Sequence, residues 1–372
     1  MFYRAAAAAL AALTLVGGAA AQDLPTIQLK VIGLNSATPV SIYDEVPFWG
    51  ETIPEASGGK ITGQYTPLDL MGIDDKTMLR LLKLGVMDLG SMDISKMAGD
   101  DPVFEGCDLA GLALTPDAAR SACDAWREVM DTKMQEDWGA KLLAIGANTP
   151  QIFWCRDEIS GLEDLRGKKI RVFNNTMRDF LSGLNATAIS MAFAEVVPAL
   201  NNGVVDCAVT GSMSGNTAGW NEVITTLYPM SLGWSINTLA INLKAWESFD
   251  DATKAFFEEQ AAAYEDKMWE TIGKLIDEAD ACNTGEGACE LGKKASSILV
   301  PIAESDSAAH KELVETAVLK GWAERCGAEC TKEWNETVGK SLPRFIKNFI
   351  TYERYLPSLL RESLDELIEA AK

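Results

Sequence analysis

The chain has 372 residues, with 33 Lys and Arg against 54 Asp and Glu, a formal net charge of -21. That charge repels phosphate backbones, so nucleic acid is excluded as a partner. An apolar share of 47% with aromatic residues present places the chain among globular proteins and excludes a disordered one.

The opening MFYRAAAAALAALTLVGGAAAQ carries an early Arg4, a small-residue apolar run and an Ala-x-Ala ending at Ala19 to Ala21. This is the pattern of a secretory signal over 1–21, cut near Ala21–Gln22. The run is short of the roughly 20 apolar residues that a spanning helix needs. No cysteine adjoins the cut, so no lipid anchor is expected there, and the mature chain is expected to be soluble and exported.

Along the mature chain, strand and helix signals alternate. IQLKVIGLN (27–35) and ITGQYTP (61–67) have strand patterning. DDKTMLRLLKLG (74–85) sets Met78, Leu81, Leu82 and Gly85 on one helical face, with acids in the first turn and glycine after the last. VMDLGSMD follows as a strand. Thr115 and Pro116 open a helix as N-cap and first-turn proline, and KLLAIGA is the next strand. Alternation of this kind predicts α/β lobes with largely parallel sheets.

LKLGVMDLG (82–90) and LNNGVVDCA (200–208) share Leu, two residues, Gly, Val, one residue, Asp, an αβ joint used twice. From Ser248 the texture turns helical. Phe257, Ala261, Tyr264, Met268, Ile272, Leu275 and Ala279 recur at steps of three and four, one long amphipathic helix. Helical segments punctuated by Pro301, Pro343 and Pro357 complete the chain. The expected organisation is a signal over 1–21, lobe one over 22–148 with a return segment around 235–250, and lobe two over 149–234. A long hinge-type helix and C-terminal helices over 248–372 would pack across both lobes.

Eight cysteines in an exported chain point to disulfides. Cys282 with Cys289 and Cys326 with Cys330 flank short turn-rich loops and are candidate local pairs, Cys155 with Cys207 a candidate strand-to-strand pair; Cys107 and Cys123 are left over. Four cysteines on zinc is the rival, although the spacings are not those of a zinc ribbon.

Catalytic parts are scarce. The single histidine, His310, sits in a polar AAHKEL context expected to be solvated. Ser57-Gly-Gly-Lys60 matches S-x-x-K without companion motifs, and neither a P-loop nor G-x-G-x-x-G occurs. No cofactor or metal is expected, and no enzyme activity. The informative stretch is LRGKKIRVFNN (165–175), with four bases in six residues: Arg166, Lys168, Lys169 and Arg171. Ile170 and Val172 share one strand face and Arg171 points to the other, near the C-terminal end where open α/β sheets place ligands. Arg171 faces either an internal carboxylate or a ligand anion, which its planar fork fits bidentately.

The ordered set LEDLRGKKIRVFNN, SMAFAEVVPALNNGVVDCAV and INLKAWESF resembles the DctP-type solute-binding proteins of the TRAP transporters, from about Ile27 to Phe249. The family's GxKxR, F-x-E-V and aLxxGxxD segments appear here in order. The resemblance implies a two-lobe periplasmic-binding-protein-like α/β fold closing around a small organic acid, for delivery to integral membrane permease subunits. It implies Arg171 as the carboxylate clamp and Phe193 as a pocket wall. Asn35, Asp74 or Asp75, Asp93 and Thr210 would supply polar groups. Gln151 and Trp154 fill the strand before GxKxR, where relatives often carry another polar or basic residue. Trp220 and Trp234 are either ligand-stacking or core residues. Which acid binds, whether a metal ion bridges it to the protein, the oligomeric state, the disulfide connectivity, and transport as against sensing or an exported enzyme of carboxylate metabolism stay open at this stage.

Overall fold

The computed structural model describes residues 24–342. The expected signal over 1–21 and the end of the C-terminal region, with Pro343 and Pro357, lie outside the described residues. Among the described residues, eleven strands form two mixed sheets with helices on their faces. The first contains β1 (Ile27–Gly33), β2 (Ile61–Pro67), β3 (Leu89–Asp93), β4 (Ala140–Ala147) and β10 (Ile236–Asn242), in the order β2-β1-β3-β10-β4. The second contains β5 (Gln151–Cys155), β6 (Lys169–Val172), β7 (Thr187–Ser190), β8 (Cys207–Gly211), β9 (Thr226–Tyr228) and β11 (Ile298–Leu299), in the order β11-β9-β5-β8-β6-β7.

The largely parallel sheets expected from alternation are corrected. β10 runs antiparallel to both β3 and β4, and β5 runs antiparallel to both β8 and β9. The cause is connectivity. The chain leaves β4 and enters β5 through residues 148–150, without a helical crossover, and returns through 229–235 into β10. A strand that arrives directly from the other sheet need not obey the parallel βαβ rule.

The repeated αβ joint has a physical explanation. Gly85 and Gly203 both take φ of 68°, the left-handed position that ends a helix and that glycine adopts without strain. The aspartate three residues on then pins the strand next door. Asp88 Oδ2 accepts from Lys30 N at 2.7 Å, and Asp206 Oδ2 accepts from Lys169 N at 2.8 Å. In each case the aspartate's own N–H donates back to the same residue's carbonyl. Glycine and aspartate therefore recur because one turns the chain and the other sets where β6, and with it Arg171, lies in its sheet.

The long helix Asp251–Thr284, with 34 residues, is capped by Asp250, which accepts from Thr253 N. At about 1.5 Å per residue it spans about 50 Å. All seven residues of the expected stripe, Phe257 through Ala279, are buried. Near its middle, Glu265 Oε2 accepts from Ile145 N at 2.7 Å and Trp269 Nε1 donates to Ile145 O at 3.0 Å, fastening it to the first sheet. At its end, Asn283 donates to Ser212 O and accepts from Asn216, fastening it to the second. The helical segment Lys320–Glu336, broken by a kink at Gly327, also straddles the halves: Trp322 donates to Pro102 O, and Arg325 pairs with Asp179. Four disulfides join Cys107 to Cys123, Cys155 to Cys207, Cys282 to Cys289 and Cys326 to Cys330. Among the described residues no helix is long and apolar enough to cross a membrane.

His310 is not solvated. It is 7% exposed, its Nε2 lies 3.0 Å from Ser231 O, and its ring lies against Phe180. Burial lowers its pKa, with the Ser231 carbonyl opposing. The polar flanks AAHKEL gave no sign of the neighbouring lobe that covers it.

Candidate functional site

A cavity of about 480 Å³ lies between the two sheets, within the roughly 300–1,000 Å³ usual for small-ligand pockets. One wall comes from residues after β1, β2 and β3, the other from β5, β6, β8 and the turn after β7, with the crossover residues at the back. Of the sequence-derived candidates, Asn35, Asp74, Asp93, Gln151, Arg171, Phe193 and Thr210 line it together.

The four bases of LRGKKIRVFNN separate according to strand geometry. Arg166 pairs with Glu163 on the surface, Lys168 is partly exposed and Lys169 is exposed. Arg171 is 2% exposed. Its Nε donates to Met191 O at 3.2 Å and its Nη1 to Val209 O at 2.9 Å, while its Cζ lies 5.3 Å from the Phe173 ring and 5.8 Å from the Trp220 ring. Main-chain carbonyls and aromatic faces thus hold the guanidinium, and no described carboxylate forms an ion pair with it. Burial pushes its pKa down to about 10, and Asp93 opposes that fall without cancelling it. A buried cation with unused donors is costly unless an anion reaches it.

The facing wall is anionic but internally bonded. Asp93 Oδ1 accepts from Ser95 N and Oγ, and its Oδ2 accepts from Ser235 Oγ at 2.7 Å. Burial raises the Asp93 pKa, with Lys96 working against it. Asp74 is an exposed N-cap that accepts from Thr77 N, and hydrogen bonding to Thr77, through its side chain first and its N–H second, lowers its pKa, whereas Asp75 is the buried member of the pair. Asn35 Oδ1 closes its own turn on Ala37 N, and Gln151 Nε2 donates to Thr149 O at 2.8 Å. Thr210 is 4% exposed on β8, and Phe193 stands 5.2 Å from Trp220.

Three candidates do not reach the cavity wall. Trp154, Trp220 and Trp234 are core residues, the first two packed edge to face and all three fully buried. Trp154 Nε1 donates to Thr210 O and Trp234 Nε1 to Ala113 O. Trp220 acts from behind, as backing for Arg171 and Phe193. Sequence reasoning also missed Lys96, Asn148, Ser214 and Asn237, which line the cavity. Asn148 at the end of β4 and Asn237 inside the apolar run INTLAIN carried a signal, because a polar residue inside an apolar strand needs a partner. Asn148 Nδ2 donates to Ser235 Oγ at 3.2 Å and to Asn237 Oδ1 at 3.4 Å; Asn148 Oδ1 and Asn237 Nδ2 have no partner among the described residues.

Two α/β lobes joined by direct crossovers, with a buried cation in the cleft between them, define a hinged solute-binding protein. The chain belongs to the bacterial extracellular solute-binding protein family 7, the DctP family of TRAP solute-binding proteins, whose model matches residues 35–289. It is similar to the protein YiiZ of Salmonella typhimurium, 28% identical over 199 residues that cover 52% of this chain and 60% of the relative. The match thus spans less than two thirds of that relative. A Haemophilus influenzae protein is 24% identical over 224 residues, 60% of this chain and 68% of its own.

Among solved structures, a TRAP periplasmic solute-binding protein of Desulfovibrio salexigens with bound orotic acid superposes with a TM-score of 0.75 at 18% identity, covering 86% of this chain and 99% of that one. A Haemophilus influenzae TRAP protein with bound L-gulonate gives 0.73 at 21%, covering 84% and 99%. A Bordetella pertussis extracytoplasmic solute receptor binding pyroglutamic acid gives 0.72 at 16%, covering 84% and 99%. At these identities the likeness establishes the two-lobe fold.

Proposed function

We propose that the mature protein captures a small organic carboxylate in the periplasm and delivers it to TRAP-type integral membrane permease subunits. The observation that carries this reading is Arg171, buried at the cleft, with donors unused and no carboxylate among the described residues salt-bridged to it. A ligand carboxylate would take the bidentate position on its fork. Membership of an extracellular solute-binding family and the organic acids bound by structural neighbours support the same reading. Because the cleft has walls on both lobes, a ligand makes its full contacts only when they are together, so binding favours the closed state. Thr217 Oγ1 of the second lobe donates to Ala37 O of the first at 2.7 Å, a bond available to that closed state.

The test is calorimetric titration of refolded, ligand-stripped protein with organic acids and their uncharged counterparts, gluconate beside glucose for example. Binding is expected for acids alone. Equal affinity for the neutral members would sink the carboxylate reading.

A further inference from the structure

The charged groups of the cleft are compensated unevenly. Three cations belong to its wall: Lys76, Lys96 and Arg171. Lys76 lies 3.1 Å from Asp100. Lys96 sits between Asp75 Oδ2 at 2.9 Å and Asp93 Oδ2 at 3.8 Å, so two carboxylates answer one ammonium. Asp69, the other acid beside Asp74 on this wall, accepts from Ser36 N at 2.7 Å and Ser36 Oγ at 2.6 Å. Arg171, on the opposite wall, is the one cleft cation among the described residues without a carboxylate partner.

We infer that the cleft selects a monocarboxylate whose remaining body is uncharged and donates hydrogen bonds, and that Asp75 and Asp93 exclude dicarboxylates. The inference rests on the reading that Arg171 holds the ligand carboxylate. With that group seated on the second lobe, the rest of the ligand extends toward Asp93, Asp75 and Lys96. A second carboxylate there meets aspartates whose salt-bridged cation, Lys96, is already doubly paired, and like charges placed together at a desolvated surface are strongly disfavoured. A hydroxyl or amide N–H meets acceptors instead. The unpaired Asn148 Oδ1 and Asn237 Nδ2 add a neutral acceptor and a neutral donor beside the same wall. Orphaned buried amide atoms of this kind call for a partner, and a hydroxyl can satisfy either.

The experiment is titration calorimetry on ligand-stripped protein with matched pairs that differ in one carboxylate: glycerate and tartronate, gluconate and glucarate, glutaramate and glutarate. The monocarboxylate is expected to bind at least about 100-fold more tightly in any pair that binds. Asp75→Asn should reduce that ratio at least about tenfold, because it removes negative charge while Lys96 stays. Asp74→Asn, which keeps an N-cap residue of equal quality, should move the ratio the same way by less and covers the case in which Asp75→Asn does not fold. A dicarboxylate that binds as tightly as its partner, or ratios unmoved in both variants, would overturn the inference and leave the carboxylate reading standing. No binding by any acid would overturn both.

Discussion

Arg171→Met removes the guanidinium and leaves an unbranched side chain among Phe173, Trp220 and the strand. Its effect on stability and its effect on binding should separate. Two charge-assisted bonds to Met191 O and Val209 O disappear, a loss of about 3–6 kcal/mol at about 1.5–3 kcal/mol each. Against this, the fall of the arginine pKa to about 10 measures a burial cost of about 3 kcal/mol, at about 1.4 kcal/mol per pH unit, that the variant no longer carries. The net is about 0–3 kcal/mol, a melting-temperature drop of at most roughly 8 °C in a chain of this size. Binding should suffer more, because the bidentate carboxylate pair contributes a further 3–6 kcal/mol, roughly a 10²–10⁴-fold loss of affinity. The assay is thermal unfolding with and without the acid at about 100 times its wild-type dissociation constant, where wild type should gain roughly 2.7 kcal/mol and the variant almost nothing. A variant that keeps the full ligand-induced shift, or one that does not fold even without ligand, would refute this account of Arg171.

Further outcomes follow from buried groups elsewhere. Glu45 is fully buried, its Oε2 accepts from Leu34 N and Tyr65 OH, and burial raises its pKa from 4.5 to about 7. The native state therefore binds more protons than the unfolded chain between those values; this contribution is fully present below about pH 4.5 and lost as pH rises through about 7. Glu45→Gln should remove about 3 kcal/mol of the stability difference between pH 4.5 and 8 in urea unfolding; an unchanged difference would count against it. Replacing Cys155 and Cys207 by alanine opens a link 52 residues apart in sequence, for which chain entropy predicts a loss of about 4 kcal/mol in denaturant melts. Gly111 has φ of 77°, and a Cβ there would lie 2.5 Å from His310 Nε2. Gly111→Ala should therefore cost roughly 2–3 kcal/mol, read from the same melts, and the glycine would be incidental if stability held.

What the sequence determined by itself was everything carried by near neighbours in the chain. Thr115 could be named as a cap because the N–H it accepts lies three residues on. The long helix showed its buried stripe, since 3.6-residue periodicity is written in order along one segment. Arg171 could be separated from Lys168 and Lys169 by alternation and position along its strand, and the recurring Gly-x-x-Asp joint marked two similarly built lobes. The tertiary structure decided what depends on surfaces brought from far away. His310 is covered by residues about 80 positions earlier, which no local pattern announces. The antiparallel strands β5 and β10 follow from which sheet the chain enters next, and Trp154, Trp220 and Trp234 lie in the core because residues distant in sequence pack over them. Compensation of charge was equally out of reach. Lys96, Asp75 and Asp93 are merely three charged residues in sequence, and only their meeting in one wall leaves Arg171, among the described residues, as the cleft cation without a salt-bridged carboxylate.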